Sequence, residues 1–430
     1  MEEARARKPD SYSEVGSYRA RFWNRNRPGL AFSSIGSLLA ILLFAGPASA
    51  QRTQTIVEGL DFPAGIAFLN DARMLVTERS GALRVVDKGR LLPEPLATIP
   101  TVISGETGLL GIAVGPDQRA VFAFATAPDG ASNEIWRVPL NGGEPEVVIA
   151  DLPAASIHNG GGVAIADDGM LFVSHGEQGE AERAQEVGSL GGKVYRFTPE
   201  GDVPEDNPFS DSPVFSLGHR NPFGIAIDPI DGTPWVTENG PTSFDEINRI
   251  EAGGNYGWPV ISGPDDAGRS ADLETGEYHD PVIAYEDIIV PTGITFATRD
   301  GAGGVGRGDL FFGAYGDSTI HHLTLDESRT EVVEDDVIEV GEAVVAVAWG
   351  PRGLYYSTPN AVKLIPYAPA ASGGDGSPSS RASSAEPTPA PSPTATGDED
   401  DPISPAFVIV LVALGAAFFW TRGRIERRSR

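Results

Sequence analysis

The chain has 430 residues, a formal net charge of −28 and no cysteine. The absence of cysteine excludes disulfide bonds, thiolate metal sites and covalently attached c-type haem. The negative charge argues against a nucleic-acid partner, because it repels the phosphate backbone; it suits a soluble exterior face, and acidic oxygens are the ligands that calcium prefers.

The chain begins with a polar, arginine-rich stretch and a short apolar run. The polar stretch covers residues 1–28, the apolar run covers 30–45, and an A-x-A site follows at 48–50. This pattern predicts a secretory signal over residues 1–50, cleaved at its end. The alternative is an uncleaved anchor with a cytoplasmic N-terminal region. Both interpretations place the chain from Gln51 onward outside the cytoplasm.

A phrase of one glycine followed by small and apolar residues recurs along the body of the chain. Its copies begin at Gly65, Gly111, Gly162, Gly224 and Gly293, with a degenerate sixth copy at Ala346. Short apolar strands follow at 74–78, 171–175, 234–238, 309–313 and 354–357, and third strands at 82–86, 193–197 and 319–325. Six copies of a three- or four-stranded unit, without a long helical pattern, predict an all-β fold, a six-bladed β-propeller over residues 51–367. The alternative, a β-sandwich with chance repetition, does not account for six copies.

Polar groups and tight turns are concentrated between Gly218 and Pro259. The stretch contains a cation–amide pair, a Gly-Pro turn beside an acid, an acidic pair and a Gly-rich aromatic turn: Arg220-Asn221, Gly240-Pro241 with Glu238, Asp245-Glu246, and residues 253–259. Such a concentration between short apolar strands predicts a ligand site built on loops over a rigid scaffold.

The composition changes after residue 367. Residues 368–402 are rich in Ser, Pro, Thr, Ala and Gly and predict a disordered linker, because such a sequence cannot bury a core. Residues 403–421 are uncharged and about long enough to span a bilayer. The basic residues 422–430 place the tail in the cytoplasm by the positive-inside rule. The sequence therefore predicts a cell-membrane protein with one C-terminal transmembrane helix and an extracellular propeller.

Seven motifs occur together between about residues 57 and 366. They are PAGIAFLNDARMLVTERSGALRVV, GETGLLGIAVGPD, HNGGG, GGKVYRFTPEGDVPEDNPF, GHRNPFGIAIDP, ENGPTSFDEIN and GGNYGWP. With these motifs the chain resembles the glucose/sorbosone dehydrogenases, the soluble six-bladed quinoproteins that oxidise aldose sugars with pyrroloquinoline quinone. The resemblance implies an aldose dehydrogenase that uses this quinone and a calcium ion.

The resemblance also implies roles for individual polar residues. His158 would be the general base for the anomeric hydroxyl of the sugar, which suits a side chain whose pKa lies near working pH; the alternative is a loop histidine bonded to a neighbouring carbonyl. Arg220 and Asn221 would face the quinone oxygens as charge develops there; the alternative is a structural arginine paired with an acid. Glu106 stands where a relative has an amide that contacts cofactor or sugar.

Two calcium sites are implied in the same way. The carbonyls of Gly240 and Pro241 would hold the ion that polarises the quinone. A second, structural ion in some relatives maps more weakly onto Ser262, Pro264 and Asp266. The neighbouring acids Asp245 and Glu246 either order the calcium loop or form a solvated turn.

Three positive charges that the family directs at the carboxylates of the quinone are absent from their expected positions. Ala343 and Val345 stand where two arginines are expected, Ala346 where an aspartate is expected, and Gly316 where a lysine is expected. Each charge-assisted contact is worth roughly 1.5–3 kcal/mol. Tight quinone binding therefore requires calcium and other cations, such as Arg352 or Lys363, to substitute.

Three functions remain open from the sequence. The first is a membrane-anchored, extracytoplasmic quinoprotein that oxidises aldoses and passes electrons to an unidentified acceptor. The second is a non-redox propeller that binds a glycan or a protein, having lost the quinone-binding cations. The third, a propeller hydrolase with calcium in the central channel, ranks last, because the sequence shows no evident ring of inward-facing acids.

Overall fold

The computed structural model describes residues 53–367, which form 27 β-strands and three short 3-10 turns. The strands, numbered in chain order, belong to six sheets. Sheet 1 contains β2 (Pro63–Asn70), β3 (Arg73–Glu78), β4 (Ala82–Asp87), β5 (Arg90–Leu91) and β6 (Ala97–Thr98). Sheet 2 contains β7 (Leu109–Val114), β8 (Ala120–Thr126), β9 (Ser132–Pro139) and β10 (Glu146–Pro153). Sheet 3 contains β11 (Val163–Ile165), β12 (Leu171–His175), β13 (Lys193–Phe197), β14 (Val214–Leu217), β18 (Gly254–Asn255) and β19 (Glu277–Tyr278).

In sheets 4 to 6 all neighbouring strands are antiparallel. Sheet 4 contains β15 (Pro222–Ile227), β16 (Pro234–Glu238), β17 (Asp245–Arg249) and β20 (Ile283–Tyr285). Sheet 5 contains β21 (Pro291–Phe296), β22 (Leu310–Ala314), β23 (Thr319–Leu325) and β24 (Val332–Glu339). Sheet 6 contains β25 (Val347–Gly350), β26 (Gly353–Thr358), β27 (Ala361–Pro366) and the N-terminal β1 (Gln54–Glu58). The 3-10 turns cover Ala181–Gln185, Arg269–Asp272 and Ala302–Gly304.

The six sheets close into a ring. The first strand of each sheet contacts the first strand of the next, and β25 of sheet 6 contacts β2 of sheet 1. Strand β1 pairs antiparallel with β27, so the start of the described chain completes the last sheet. Buried apolar clusters fill each junction between successive sheets, including the junction of sheet 6 with sheet 1. These observations confirm the all-β propeller prediction.

The repeated glycines have a packing role at the centre of the ring. A Cβ added to Gly111 would lie 2.3 Å from the carbonyl oxygen of Gly161, and one added to Gly224 would lie 2.5 Å from that of Thr292. Only a residue without a side chain permits this approach of one inner strand to the next. The predicted strands at 171–175, 193–197, 234–238 and 319–325 are present at those residues.

The segments predicted on either side of the propeller lie outside the described residues. They are the signal or anchor at 1–50, the linker at 368–402, the transmembrane helix at 403–421 and the tail at 422–430. Within residues 53–367 no helix has the length and apolar character needed to cross a membrane.

Candidate active site

An open cleft collects the predicted catalytic and quinone-binding residues Glu106, His158, Arg220 and Asn221, whereas the predicted metal ligands are not among its lining residues. It encloses about 780 Å³ of space that is continuous with solvent. Its titratable lining residues are Arg79, Glu106, His158, Arg220 and Tyr315, and the rest of the wall is largely apolar. Arg79 and Tyr315 directly follow the second strands of sheets 1 and 5, whereas the other three precede the first strands of sheets 2, 3 and 4. In an antiparallel blade these positions share one edge, so the ring brings them together.

His158 is held by acids on both its backbone and its side chain. Its backbone lies in the left-handed region at φ 54°, and its N–H donates to Glu106 Oε2 at 2.7 Å. Its ring Nδ1 donates to Glu177 Oε1 at 2.7 Å, with side-chain exposures of only 7% and 2%. The ring therefore bonds a carboxylate rather than the carbonyl of the alternative interpretation. With Nδ1 engaged, Nε2 is the nitrogen available to accept a proton.

Glu177 is a residue that the sequence reasoning did not identify. Its second oxygen accepts the N–H of Gly179, and its own N–H donates to the carbonyl of Arg220 at 2.9 Å. These bonds fix the carboxylate against the imidazole of His158. A buried acid with this orientation keeps the proton of a neutral imidazole on Nδ1 and stabilises the imidazolium that forms when Nε2 accepts a proton.

Arg220 and Asn221 are positioned through their backbone by a buried acid. Glu238 Oε1 accepts the N–H of Arg220 at 3.0 Å and that of Asn221 at 2.6 Å, while Oε2 accepts His219 Nδ1–H at 3.0 Å. Burial raises the pKa of Glu238 to about 8, and the backbone donors oppose that rise. Asn221 Oδ1 accepts the N–H of Gly160 at 3.0 Å, which leaves its amide nitrogen as the group that can donate elsewhere.

The guanidinium of Arg220 keeps its charge available. Nη1 donates to the carbonyl of Asn239 at 2.9 Å, and the group lies over the ring of Trp258 at 5.5 Å. Burial lowers the pKa of Arg220, and nearby acids, Glu177 first, oppose that change. No ion pair of Arg220 occurs between residues 53 and 367, so the alternative of an arginine paired with an acid is not what the structure shows.

Arg79 is a second cation in the cleft that the sequence reasoning did not assign. Its Nε donates to the carbonyl of Thr107 at 2.8 Å, and Nη2 donates to the carbonyl of Gly105. Its guanidinium lies over the ring of Phe62 at 5.4 Å. Arg79 lies within the quoted motif RMLVTERSG, but nothing in its spacing distinguished it from a surface arginine.

The substitute cations suggested by the sequence lie elsewhere, which corrects that expectation. Arg352 donates to Gln54 Oε1 at 2.5 Å, and Lys363 pairs with Glu342. Neither is among the residues that line the cleft. Val345 does line the cleft, at the position where an arginine was expected.

The Gly240 loop is ordered by buried acids. Asp245 Oδ1 accepts the N–H of Gly240 at 2.8 Å, and Oδ2 accepts the N–H groups of Ile289 and Val290 at 2.7 and 2.8 Å. Glu246 Oε1 accepts the N–H of Gly263 at 2.7 Å. Both acids are buried, so the solvated-turn alternative is wrong. Asp245 orders the Gly240 loop, whereas Glu246 orders the loop at Gly263.

The predicted calcium ligands are not part of a carboxylate cluster. In the described part of the chain, no three His, Asp or Glu side chains are grouped as a metal centre would require. A calcium ion at Gly240 and Pro241 would therefore depend on main-chain carbonyls. The weaker set lies between β18 and β19, where the N–H of Asp266 donates to the carbonyl of Pro264 at 2.9 Å and Ser262 precedes them. Both metal sites stay predictions.

Comparison with known proteins gives consistent matches. The profile of the family described as Glucose / Sorbosone dehydrogenase matches residues 60–363. The aldose sugar dehydrogenase YliI of Escherichia coli is 31% identical over 349 residues, covering 74% of this chain and 92% of the relative. A solved structure of a putative oxidoreductase (glucose dehydrogenase) from Thermus thermophilus is 33% identical, with a TM-score of 0.64 over 73% of this chain and 98% of that one. The PQQ-bound aldose sugar dehydrogenase of Streptomyces coelicolor is 30% identical, with a TM-score of 0.62 over 72% and 95%.

Proposed function

Because the chain belongs to the glucose/sorbosone dehydrogenase family, we propose that it is a quinoprotein that oxidises an aldose sugar with pyrroloquinoline quinone. The observation that carries the proposal is the single cleft in which His158, Arg220 and Asn221 meet. We place the activity outside the cytoplasm, with the propeller anchored to the cell membrane by residues 403–421.

The chemistry of the cleft fits a planar quinone that carries carboxylates. The cleft is open to solvent and its wall is largely apolar, as is common for small-molecule sites. Two guanidinium groups, Arg79 and Arg220, line it, and each is backed by an aromatic ring and held by main-chain carbonyls. Guanidinium groups are suited to carboxylate and oxyanion recognition. Glu106 is the acid among the residues that line the cleft, and its negative charge would repel an anionic ligand.

Different residues of the cleft have different roles in sugar oxidation. When bound, pyrroloquinoline quinone would provide the hydride-accepting group. His158 Nε2 takes the proton of the anomeric hydroxyl, because Glu177 holds the other ring nitrogen and stabilises the cation that results. Arg220 and the amide nitrogen of Asn221 present N–H donors where negative charge develops. The carbonyls of Gly240 and Pro241 would hold calcium beside them.

Reconstitution tests the proposal. The purified full chain is incubated with pyrroloquinoline quinone and calcium, then assayed with a dye acceptor and a panel of aldoses. We expect turnover and a shift in the quinone absorbance, with loss of turnover on chelation of calcium. The variant His158→Gln is expected to retain the absorbance shift but lose turnover. Absence of both turnover and the absorbance shift in the wild-type chain excludes the quinoprotein function.

A non-redox propeller that binds a glycan or a protein is the second candidate. The observation that favours it is the replacement of the expected cations by Gly316, Ala343 and Val345. Calorimetry with glycans and with the quinone separates the two functions. Glycan binding without quinone binding supports the second candidate, whereas quinone binding with micromolar or tighter affinity supports the first.

A further inference from the structure

Two residues flank the place where the expected arginines are missing. Val345 enters the cleft just before sheet 6, Arg79 follows β3 of sheet 1, and Tyr315 follows β22 of sheet 5. Sheets 5, 6 and 1 are successive in the ring, so Arg79 and Tyr315 stand on either side of the gap at Val345. Tyr315 also directly precedes Gly316, where the resemblance expects a lysine.

Arg79 is oriented before any ligand arrives. Two of its nitrogens are held by the carbonyls of Gly105 and Thr107, and Phe62 lies against its guanidinium. Among the described residues its third nitrogen, Nη1, has no hydrogen-bond partner, and the guanidinium forms no ion pair. A guanidinium fixed in this way has N–H donors available for a carboxylate at little further entropic cost.

Tyr315 presents a buried hydroxyl that lacks a protein partner. The side chain is 6% exposed, and within residues 53–367 no atom forms a hydrogen bond with its hydroxyl. Burial raises the pKa of Tyr315, and the charge of Arg79 opposes that rise. A buried hydroxyl without an acceptor is unfavourable, and a ligand carboxylate beside Arg79 would supply that acceptor.

We propose that Arg79 and Tyr315 together bind one carboxylate of the quinone and replace the missing basic residues at 316, 343 and 345. This inference rests on the proposed quinone function. Arg79 supplies the positive charge and Tyr315 supplies a neutral O–H donor. The charge of Arg79 also offsets that of the neighbouring Glu106, which would otherwise repel the carboxylate.

Binding measurements on the full chain test the pair without relying on turnover. Pyrroloquinoline quinone and its trimethyl ester are titrated, in calcium, into the wild type, Tyr315→Phe and Arg79→Lys. Loss of one hydrogen bond to a charged group predicts that Tyr315→Phe weakens binding of the acid about tenfold, and Arg79→Lys at least about tenfold. Neither change is expected to alter the affinity for the ester. Matched controls outside the cleft, Tyr355→Phe and Arg84→Lys, are expected to bind both ligands like the wild type.

The outcomes distinguish this inference from the function on which it rests. If the wild type binds the quinone and both cleft variants bind it equally well, the pair is not a carboxylate site although the quinone function stands. If the variants lose affinity for acid and ester alike, the residues shape the cleft without recognising the carboxylate, and the inference is overturned. If the wild type binds no quinone, both the function and the inference fail. Should Arg79→Lys not fold, Tyr315→Phe decides alone, since it removes a single unpaired atom.

Discussion

The bond between His158 and Glu177 gives the sharpest test of the proposed mechanism. In Glu177→Gln the amide oxygen can still accept from Nδ1 at 2.7 Å, while the negative charge and the bond from the N–H of Gly179 are lost. Charge-assisted hydrogen bonds are worth roughly 1.5–3 kcal/mol and neutral ones roughly 0.5–1.5 kcal/mol. The imidazolium that forms in the transition state therefore loses about 1–2 kcal/mol of stabilisation, which lowers the rate of the chemical step roughly 5–30-fold.

The assay is the anaerobic reduction of bound quinone by an aldose in a single turnover, followed by absorbance. We expect the slower reduction with little change in quinone affinity, because Glu177 does not line the cleft. The control is Glu180→Gln, the same substitution three residues along the chain at an exposed acid that pairs with Arg183. Wild-type reduction rates in Glu177→Gln would refute the assignment of His158 as a base supported by this acid. Equal slowing in the control would show an effect of loop charge alone.

Three further outcomes are expected. Glu106→Gln should tighten quinone binding about threefold to tenfold in titrations, because it removes from the cleft a negative charge that repels the quinone carboxylates. The amide oxygen of Gln can still accept the backbone N–H of His158. Weaker binding contradicts this prediction. Burial lowers the pKa of His175 from 6.5 to about 4, so between these pH values the unfolded state binds more protons than the folded state. The free energy of unfolding therefore falls as the pH drops through this range, by up to about 3 kcal/mol. Denaturant titrations of His175→Gln should show a shallower dependence of this free energy on pH, and an unchanged dependence refutes the cause. Gly111→Ala should lower the melting temperature, since its Cβ would lie 2.3 Å from the carbonyl oxygen of Gly161 and overpacking costs roughly 1–3 kcal/mol. The control Gly188→Ala, which has open space at its Cβ, should leave the melting temperature unchanged.

The sheets were predictable because each one is built mainly from neighbouring stretches of chain. Antiparallel strands such as β12 and β13 follow one another, so the pattern of apolar residues and turns is local. Two features depend on distant pairing and carry no repeat. Strand β1 pairs with β27 across nearly the whole described chain, and β18 and β19 extend sheet 3 although they follow strands of sheet 4. Neither pairing leaves a periodic signal in the sequence.

The site was predictable only where a residue stands inside a distinctive motif. His158, Arg220 and Asn221 lie in HNGGG and GHRNP and meet in the cleft. Glu177 lies in a polar turn 19 residues from His158, and a turn of this composition ordinarily indicates solvent exposure. Tyr315 is not predictable from the fixed motif position of the expected cation, because ring closure lets side chains from other sheets reach the same space.

An acidic chain can still offer positive charge to a ligand if its acids are engaged by backbone amides. Glu238 bonds the N–H groups of Arg220 and Asn221 rather than the guanidinium, and Glu106 bonds the N–H of His158. The arginine side chains bond main-chain carbonyls in turn. Each acid thus orders a loop at short range, while the guanidinium charge is not neutralised by a direct ion pair. In a partly buried cleft of lowered dielectric, two such cations attract an anion more strongly than the same charges would at an exposed surface, so the net charge of −28 does not by itself oppose a carboxylate-bearing ligand.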